Sequence, residues 1–375
     1  MAGSDITKDL IYDSVAPDDF ESMLELDRYN DRSNAFDKII AATHDHFWNP
    51  LDPKYIDFST PFDMENEMLV PEEMIASMQT VYVSEALSDW KTRVRFVNQS
   101  VLRSFSSILH GEQGALNLSA SLCHVLKDQG AQEYAANQTR EEARHVTAFA
   151  LYIKARWGRP VACGPALKDL LVEIVGAPQV YKKIVGMQML VEGLAMGAFA
   201  TFYANIRDPL GKRLLQLVMT DEAFHHKFGK IWAERTIPHL TAEEHATIED
   251  WAAHCFQTLL FNLVAPTQQL DLYAAFGLDA DRVIAEMAQI MTDDQRRETM
   301  REQTNIFRVL VKTLLKAGVI TERTRAFYAT YVDLDELHRE GDQMVGDDIA
   351  AEGVRYLRAI NFRGRPANDG LIAAE

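Results

Sequence analysis

The sequence lacks most of what marks sheet proteins, secreted proteins and nucleic-acid binders. No stretch of useful length alternates apolar and polar residues, so no strands are predicted and the chain reads as all-α. Cysteine is scarce. Cys123, Cys163 and Cys255 are three in 375 residues, odd in number and without Cys-x-x-Cys spacing, which excludes a disulfide framework or an iron–sulfur cysteine pattern and fits unpaired thiols in a reducing cytoplasm. There is no Gly-rich dinucleotide fingerprint, and no Ser/Gly-rich or Pro-rich linker divides the chain, so one domain spanning 1–375 is expected. Positive charge is in deficit. Lys and Arg number 38 against 55 Asp and Glu, a formal charge of −17, which disfavours nucleic acid and anionic membranes as partners because binding phosphate depends on basic side chains. The first residues, Met1 to Asp9, show no basic region followed by an apolar run, so no signal peptide is expected and the predicted location is cytoplasmic.

One run is apolar enough to raise the question of a membrane. Ile184 to Ile206 is interrupted chiefly by Gln188, Glu192, Thr201 and Asn205. A carboxylate in mid-bilayer is costly, and the central helix of a large soluble protein has the same profile, so burial in a protein core is the expectation.

What is present is helical pattern. Residues 1–80 read as an arm with short amphipathic pieces at Phe20 to Leu26 and Phe36 to Ile40, and Pro71 is placed to open a helix at its first turn. A helical stretch from about Ser88 to Lys127 is expected, with a break near Gly111 and Gly114. Helices are predicted at Ala131 to Trp157, Ala166 to Val175, Pro178 to Ile206 and from Asp208-Pro209 to Thr236, where Pro238 stops the pattern. Thr241-Ala-Glu-Glu244 resembles a capping box, and three to five further helices are expected within 241–361.

Within 88–236 lies the pattern that carries chemistry. Glu141-Glu142-Ala143-Arg144-His145 is echoed by Asp221-Glu222-Ala223-Phe224-His225. A helix turns about 100° per residue, so Glu142 with His145, and Glu222 with His225, project from one face within reach of one metal ion. A single Glu-x-x-His means little, since a chain of this length holds about one by chance. The second copy adds weight, and so do two more glutamates on apolar helix faces: Glu112 lies thirty residues before Glu142, and Glu192 thirty before Glu222. Imidazole with carboxylate suits iron or manganese better than structural zinc. Glu141 and Asp221, one residue before the glutamates, are placed to reach the histidines of the opposite helix, with Arg144 neutralising one of them. His226 points away from His225, and Asp335 with His338 reads as a solvated face. Gly186, Gly193, Ala195, Gly197 and Ala198 read as a close-packing face that would also leave space for a substrate around Glu192.

The order Glu112, Glu142/His145, Glu192, Glu222/His225 resembles the ferritin-like di-iron oxidoreductases: ribonucleotide reductase small subunits, bacterial multicomponent hydroxylases and acyl-carrier-protein desaturases. The resemblance covers about Ser104 to Thr236 and implies a ferritin-like four-helix bundle, with the N-terminal arm and additional C-terminal helices around it. Tyr29-Asn-Asp-Arg-Ser and Phe47-Trp48-Asn-Pro50 are similar to the start of the reductase small subunit, and by that likeness Trp48, Asp221 and His145 would form an electron path.

Departures from each subfamily shape the functional expectation. Phe149 stands where the reductase subunit usually has its radical tyrosine, a feature compatible with a Mn/Fe pair. Met196 and Ala200 replace the phenylalanines that usually crowd the metals, and the tail Asn361-Phe-Arg-Gly-Arg-Pro lacks the acidic docking character of the reductase. The threonines of the hydroxylases and desaturases are replaced by Met196 and Ala195, and the extra histidine of the arylamine oxygenases by Val218. The resemblance therefore implies an oxygen-activating di-iron monooxygenase or oxidase acting with dioxygen on a small or acyl-type organic substrate, with electrons from a separate reductase or ferredoxin. The two Fe ions, or a Mn/Fe pair, would be held by Glu112, Glu142, His145, Glu192, Glu222 and His225. A radical-generating subunit and a ferroxidase or iron-storage protein are the alternatives; a homodimer is compatible with the oxidoreductase, whereas iron storage needs a cage-forming assembly.

Overall fold

We describe a computed structural model covering residues 6–263, 265–301, 305–341 and 346–362. Among these residues the chain is all-α, with no strand beyond an isolated antiparallel bridge between Ser14 and Leu126. The helices that position or cover the site are α1 (Trp90–Val125), α2 (Gln129–Trp157), α3 (Pro165–Gly176), α4 (Val180–Asn205), α5 (Pro209–Thr236), α6 (Ala242–Gln257), α7 (Ile306–Lys316) and α8 (Asp347–Asn361).

Local chemistry sets their ends. Asp89 caps α1 by accepting from Thr92 N, and Asp128 caps α2 by accepting from Ala131 N. Gly158, with φ +85°, ends α2 in a conformation that costs other residues more. Asp208 caps α5, whose first residue is Pro209, and its carboxylate also accepts from the Tyr152 hydroxyl at 2.9 Å and Arg156 Nε at 2.7 Å. One aspartate therefore starts α5 and pins the α4–α5 turn to the end of α2. The capping box at Thr241 and Glu244 is formed as the sequence implies.

Two expectations change on α1. The helix runs unbroken through Gly111 and Gly114, so Glu112 lies in mid-helix rather than at a break. Gly114 is a packing residue: a Cβ there would stand 2.7 Å from Leu171 Cδ2 of α3. In the arm, Phe20 to Leu26 forms only a 3-10 turn at Glu21–Leu24, and Pro71 precedes the turn Glu72–Met74 instead of lying inside it. The C-terminal part holds more and shorter helices than expected, including Leu270–Ala275, Asp293–Thr299, Glu322–Tyr328 and Leu334–Arg339. Pieces of two turns or fewer are too short to show a helical period. The tail motif from residue 363 onward lies outside the described residues.

The apolar run is a core helix. Its most hydrophobic window is 78% buried within the protein, between α3, α5, α6 and α7. Eight of its residues, Ile184–Val191, form a π-helical stretch that leads directly into Glu192. The arm closes the other side. Asn361 of α8 donates to Phe47 O at 2.7 Å and accepts from the Tyr55 hydroxyl at 2.6 Å, holding the segment from which Trp48 enters the core.

Candidate metal centre

Four helices each carry part of one buried polar cluster: Glu112 on α1, Glu142 and His145 on α2, Glu192 on α4, Glu222 and His225 on α5. None of the six is more than 5% exposed. The donor atoms fall into two groups that share two members. Glu112, Glu142, His145 and Glu222 form one; Glu142, Glu192, Glu222 and His225 form the other.

The two shared glutamates lie between the histidines. Glu222 places Oε1 3.1 Å from His145 Nδ1 and Oε2 3.1 Å from His225 Nδ1. Glu142 places Oε2 3.4 Å from His145 Nδ1 and Oε1 3.0 Å from His225 Nδ1. Glu112 stands on the His145 side, its Oε2 3.2 Å from Nδ1. Glu142 and Glu222 thus belong to both donor groups, Glu112 and Glu192 to one each.

The outer nitrogens decide how the rings are presented. His145 Nε2 faces Asp221 Oδ2 at 2.8 Å, and His225 Nε2 faces Glu141 Oε2 at 2.9 Å. A carboxylate only accepts, so each Nε2 carries the hydrogen, and each ring when neutral would turn an Nδ1 lone pair inward. The bonds cross between helices: Asp221 of α5 orients the histidine of α2, and Glu141 of α2 orients that of α5. Arg144 donates through Nη2 to Asp221 Oδ1 at 2.5 Å and through Nε to Oδ2 at 3.0 Å, and lies 3.5 Å from Glu141. Arg144 is buried with them rather than lying on the helix surface. Trp48 Nε1 donates to Asp221 Oδ2 at 2.9 Å, and its indole lies against the His145 ring.

The residues fit metal ions. Glu142 Oε2 and Glu222 Oε1 are buried without a hydrogen-bond partner, a costly state for a carboxylate oxygen. Donors bound at right angles to one ion at ~2.1 Å stand about 3 Å apart, and the separations here are 3.0–3.4 Å. The donors are oxygen and imidazole without thiolate, a set suited to iron or manganese.

The electrostatics lead to the same point. Burial raises Glu112 and Glu192 well above the usual carboxylate range, helped by neighbouring glutamate charge. Burial acts the same way on Glu142 and Glu222 and is the largest single effect, but His225 and His145 together outweigh it and hold both low. Burial disfavours charged imidazole, yet the facing carboxylates of Asp221, Glu112 and Glu142 raise His145, and the Glu222 and Glu142 charges raise His225. Metal ions held there would take over from protons as the counter-charge of these glutamates.

A third group, His46, Glu141 and Asp221, has ligand types at ligand distances. Asp221 already accepts from Trp48, Arg144 and His145, with His46 Nε2 3.4 Å from Oδ1. The Arg144 guanidinium supplies the positive charge there, so this group is the outer support of the histidines rather than another ion site.

The sequence reading did not single out His46, Gln138 or Gln188. Nothing in the arm distinguishes His46 from His44, but each glutamine lies four residues before a ligand glutamate, a signal open to inspection. His226 stays outside the cluster, its Nδ1 3.3 Å from Glu222 O, and Asp335 is exposed and paired with Arg325. The expectation of substrate space beside Gly193 and Gly197 is not met. A Cβ at Gly193 would stand 3.0 Å from Leu310 Cδ2, and one at Gly197 3.0 Å from Ile306 Cα, so α7 fills that side. Met196 is likewise buried, within the cluster that holds Phe149 and Phe199. Comparison with known proteins returns no match: no protein-family model, no curated protein and no solved structure is similar to this chain.

Proposed function

We propose that this protein is a ferritin-like dinuclear metal oxidoreductase that activates dioxygen, an iron-dependent monooxygenase or oxidase of a small or acyl-type organic substrate. The observation that carries the reading is the sharing of Glu142 and Glu222 between the two donor groups, each glutamate offering one oxygen to each histidine's side. Metal ions held by these groups would supply the electrons for the reduction of dioxygen.

The chain's own part is to hold and insulate. Glu112 with His145 and Glu192 with His225 would complete the two ends, while Asp221 and Glu141 fix the ring tautomers. Arg144 offsets the charge of those two carboxylates, so the support does not repel the ions' ligands. The bonds from Trp48 to Asp221 and from Asp221 to His145 form a continuous route for electrons from a separate donor, a reductase or ferredoxin.

The same route favours a second reading, a radical-generating subunit of the ribonucleotide reductase type with a Mn/Fe or di-iron centre. Phe149 carries no hydroxyl and is enclosed by Phe105 and Phe199, with ring centroids 5.9 and 5.8 Å away, so a radical would have to reside elsewhere.

The test is metal content per chain after expression with iron and manganese both supplied, followed by dioxygen consumption by the reduced protein. Two irons per chain, lost in Glu192→Ala, with dioxygen consumed, support the oxidoreductase. One manganese and one iron would favour the second reading, a spherical multi-subunit assembly in gel filtration would favour iron storage, and no stoichiometric metal would refute the dinuclear site.

A further inference from the structure

Gln138 and Gln188 place two side-chain amides against the metal ligands in an otherwise apolar interior. They are 1% and 0% exposed. Gln138 lies one turn before Glu142 on α2, and Gln188 one turn before Glu192 in the π-helical stretch of α4. The amides face each other: Gln188 Nε2 donates to Gln138 Oε1 at 3.1 Å, and Gln138 Nε2 lies 3.3 Å from Gln188 Oε1. Gln138 Nε2 is also 3.1 Å from Glu142 Oε1 and 3.3 Å from Glu192 Oε1.

The contact is one-sided. Glu142 Oε1 is the oxygen that faces His225, and Glu192 belongs only to the His225 group. One turn before Glu112 and Glu222 stand Ile108 and Val218, which carry no polar group, so the His145 side has no counterpart. An amide paired only for its own satisfaction would not need to meet two ligand oxygens. Leucines of similar volume would fill the space without the cost of burying four polar atoms.

Resting on the dinuclear reading, we infer that the Gln138–Gln188 pair is a positioning device that fixes Glu142 and Glu192 in advance of metal binding, so that the His225 half takes the first ion and the His145 half the second. Fixing the carboxylates beforehand removes reorganisation that the other half still undergoes when its ion binds.

The experiment is anaerobic Co(II) titration of the full chain, followed by calorimetry and by the visible absorption of the bound ion. It compares the wild type, Glu112→Ala and the double variant Gln138→Leu/Gln188→Leu, which removes both amides and leaves neither unpaired. The wild type should bind two Co(II) per chain in resolved steps. Glu112→Ala should lose the weaker step and keep the tighter. The double variant should weaken the tighter step by about 10- to 100-fold and change the spectrum of the first ion, with the melting temperature of its metal-free form unchanged or higher.

The inference is overturned if the double variant binds its first ion with wild-type affinity and spectrum, or if Glu112→Ala abolishes the tighter step. Should the double variant not give folded helical protein, Gln188→Met carries the test with the same direction of change. Wild-type protein that binds no Co(II) would remove the dinuclear reading and this inference together. Two ions bound with affinities that ignore the amides would remove this inference alone.

Discussion

Glu141 on α2 accepts from His225 on α5 at 2.9 Å, while the ligand beside it, Glu142, faces the same ring's other nitrogen at 3.0 Å. Two adjacent residues of one helix thus hold both sides of a histidine on another. Asp221 and Glu222 do the same for His145 in the opposite direction. The two helices are each locked by the other's histidine, so the outer carboxylates would contribute to the affinity for any ion held there. Glu141→Gln and Asp221→Asn should each lower metal affinity by about 10- to 100-fold. Competition with a chelator of known affinity would measure this; unchanged affinity in both variants would mean that ring orientation is set by packing alone.

Metal uptake should release protons. The groups held high are Glu112 and Glu192, through burial, and the two histidines, through their carboxylate partners against burial. These groups must deprotonate to act as ligands, so affinity should fall as pH falls, and loading divalent ions should release protons. Calorimetry of Co(II) binding in buffers of different ionisation enthalpy counts them. A value near zero would contradict the charge exchange described above.

Trp48→Phe should leave the ions in place and slow their reduction. Asp221 keeps its bonds to Arg144 and His145 when the indole N–H is removed, so the orientation of His145 does not depend on Trp48. Metal content by elemental analysis should match the wild type, while stopped-flow reduction by an external donor should be slower. Reduction at the wild-type rate would place the electron route elsewhere.

The six residues of the buried cluster were legible because their spacing is local to helices. A spacing of three puts Glu142 and His145 on one face whatever surrounds them, and Asp208-Pro209 or Thr241 with Glu244 mark helix starts through bonds to their own neighbours. What the sequence could not show depends on distant partners. Gly193 and Gly197 read as a packing face, but only the fold shows that Leu310 and Ile306, more than a hundred residues away, are what packs there and leave no open space. The π-helical stretch at Ile184–Val191 adds no signature to an already apolar run, and His46 acquires meaning only once Asp221 is beside it.

Remote from the site, Glu249 offers a pH test of stability. Burial works to raise its carboxyl, but it accepts at Oε1 from Thr321 N at 2.9 Å, the Thr321 hydroxyl at 2.6 Å and the Thr324 hydroxyl at 2.7 Å, and these bonds hold it below its ordinary value. A depressed carboxyl stabilises the fold above its unfolded-state pKa, and that contribution is lost as pH falls through the folded-state value. Glu249→Gln should therefore cost about 1–3 kcal/mol at neutral pH, and the gap from the wild type should narrow in acid. Urea unfolding at both pH values checks the sign; a gap that widens in acid would refute it.

Two glycines separate helix propensity from packing. Gly111 lies in the middle of α1, and a Cβ there would meet nothing within 4 Å, so Gly111→Ala relieves only the excess flexibility of the unfolded chain. It should stabilise by about 0.5–1 kcal/mol. Gly197 is also helical, so the same propensity gain applies, but its Cβ would lie 3.0 Å from Ile306 Cα and 3.2 Å from Ile306 Cγ1. A backbone atom cannot turn aside as a side chain can, so α7 has to shift as a unit, and Gly197→Ala should destabilise by about 1–3 kcal/mol. Thermal melts of the two variants in metal-free and Co(II)-loaded forms would test this. Opposite signs establish that α7 seals the α4 face by direct contact. A stabilised Gly197→Ala would mean that α7 stands off from α4, leaving beside Glu192 the space for a substrate that the sequence first implied.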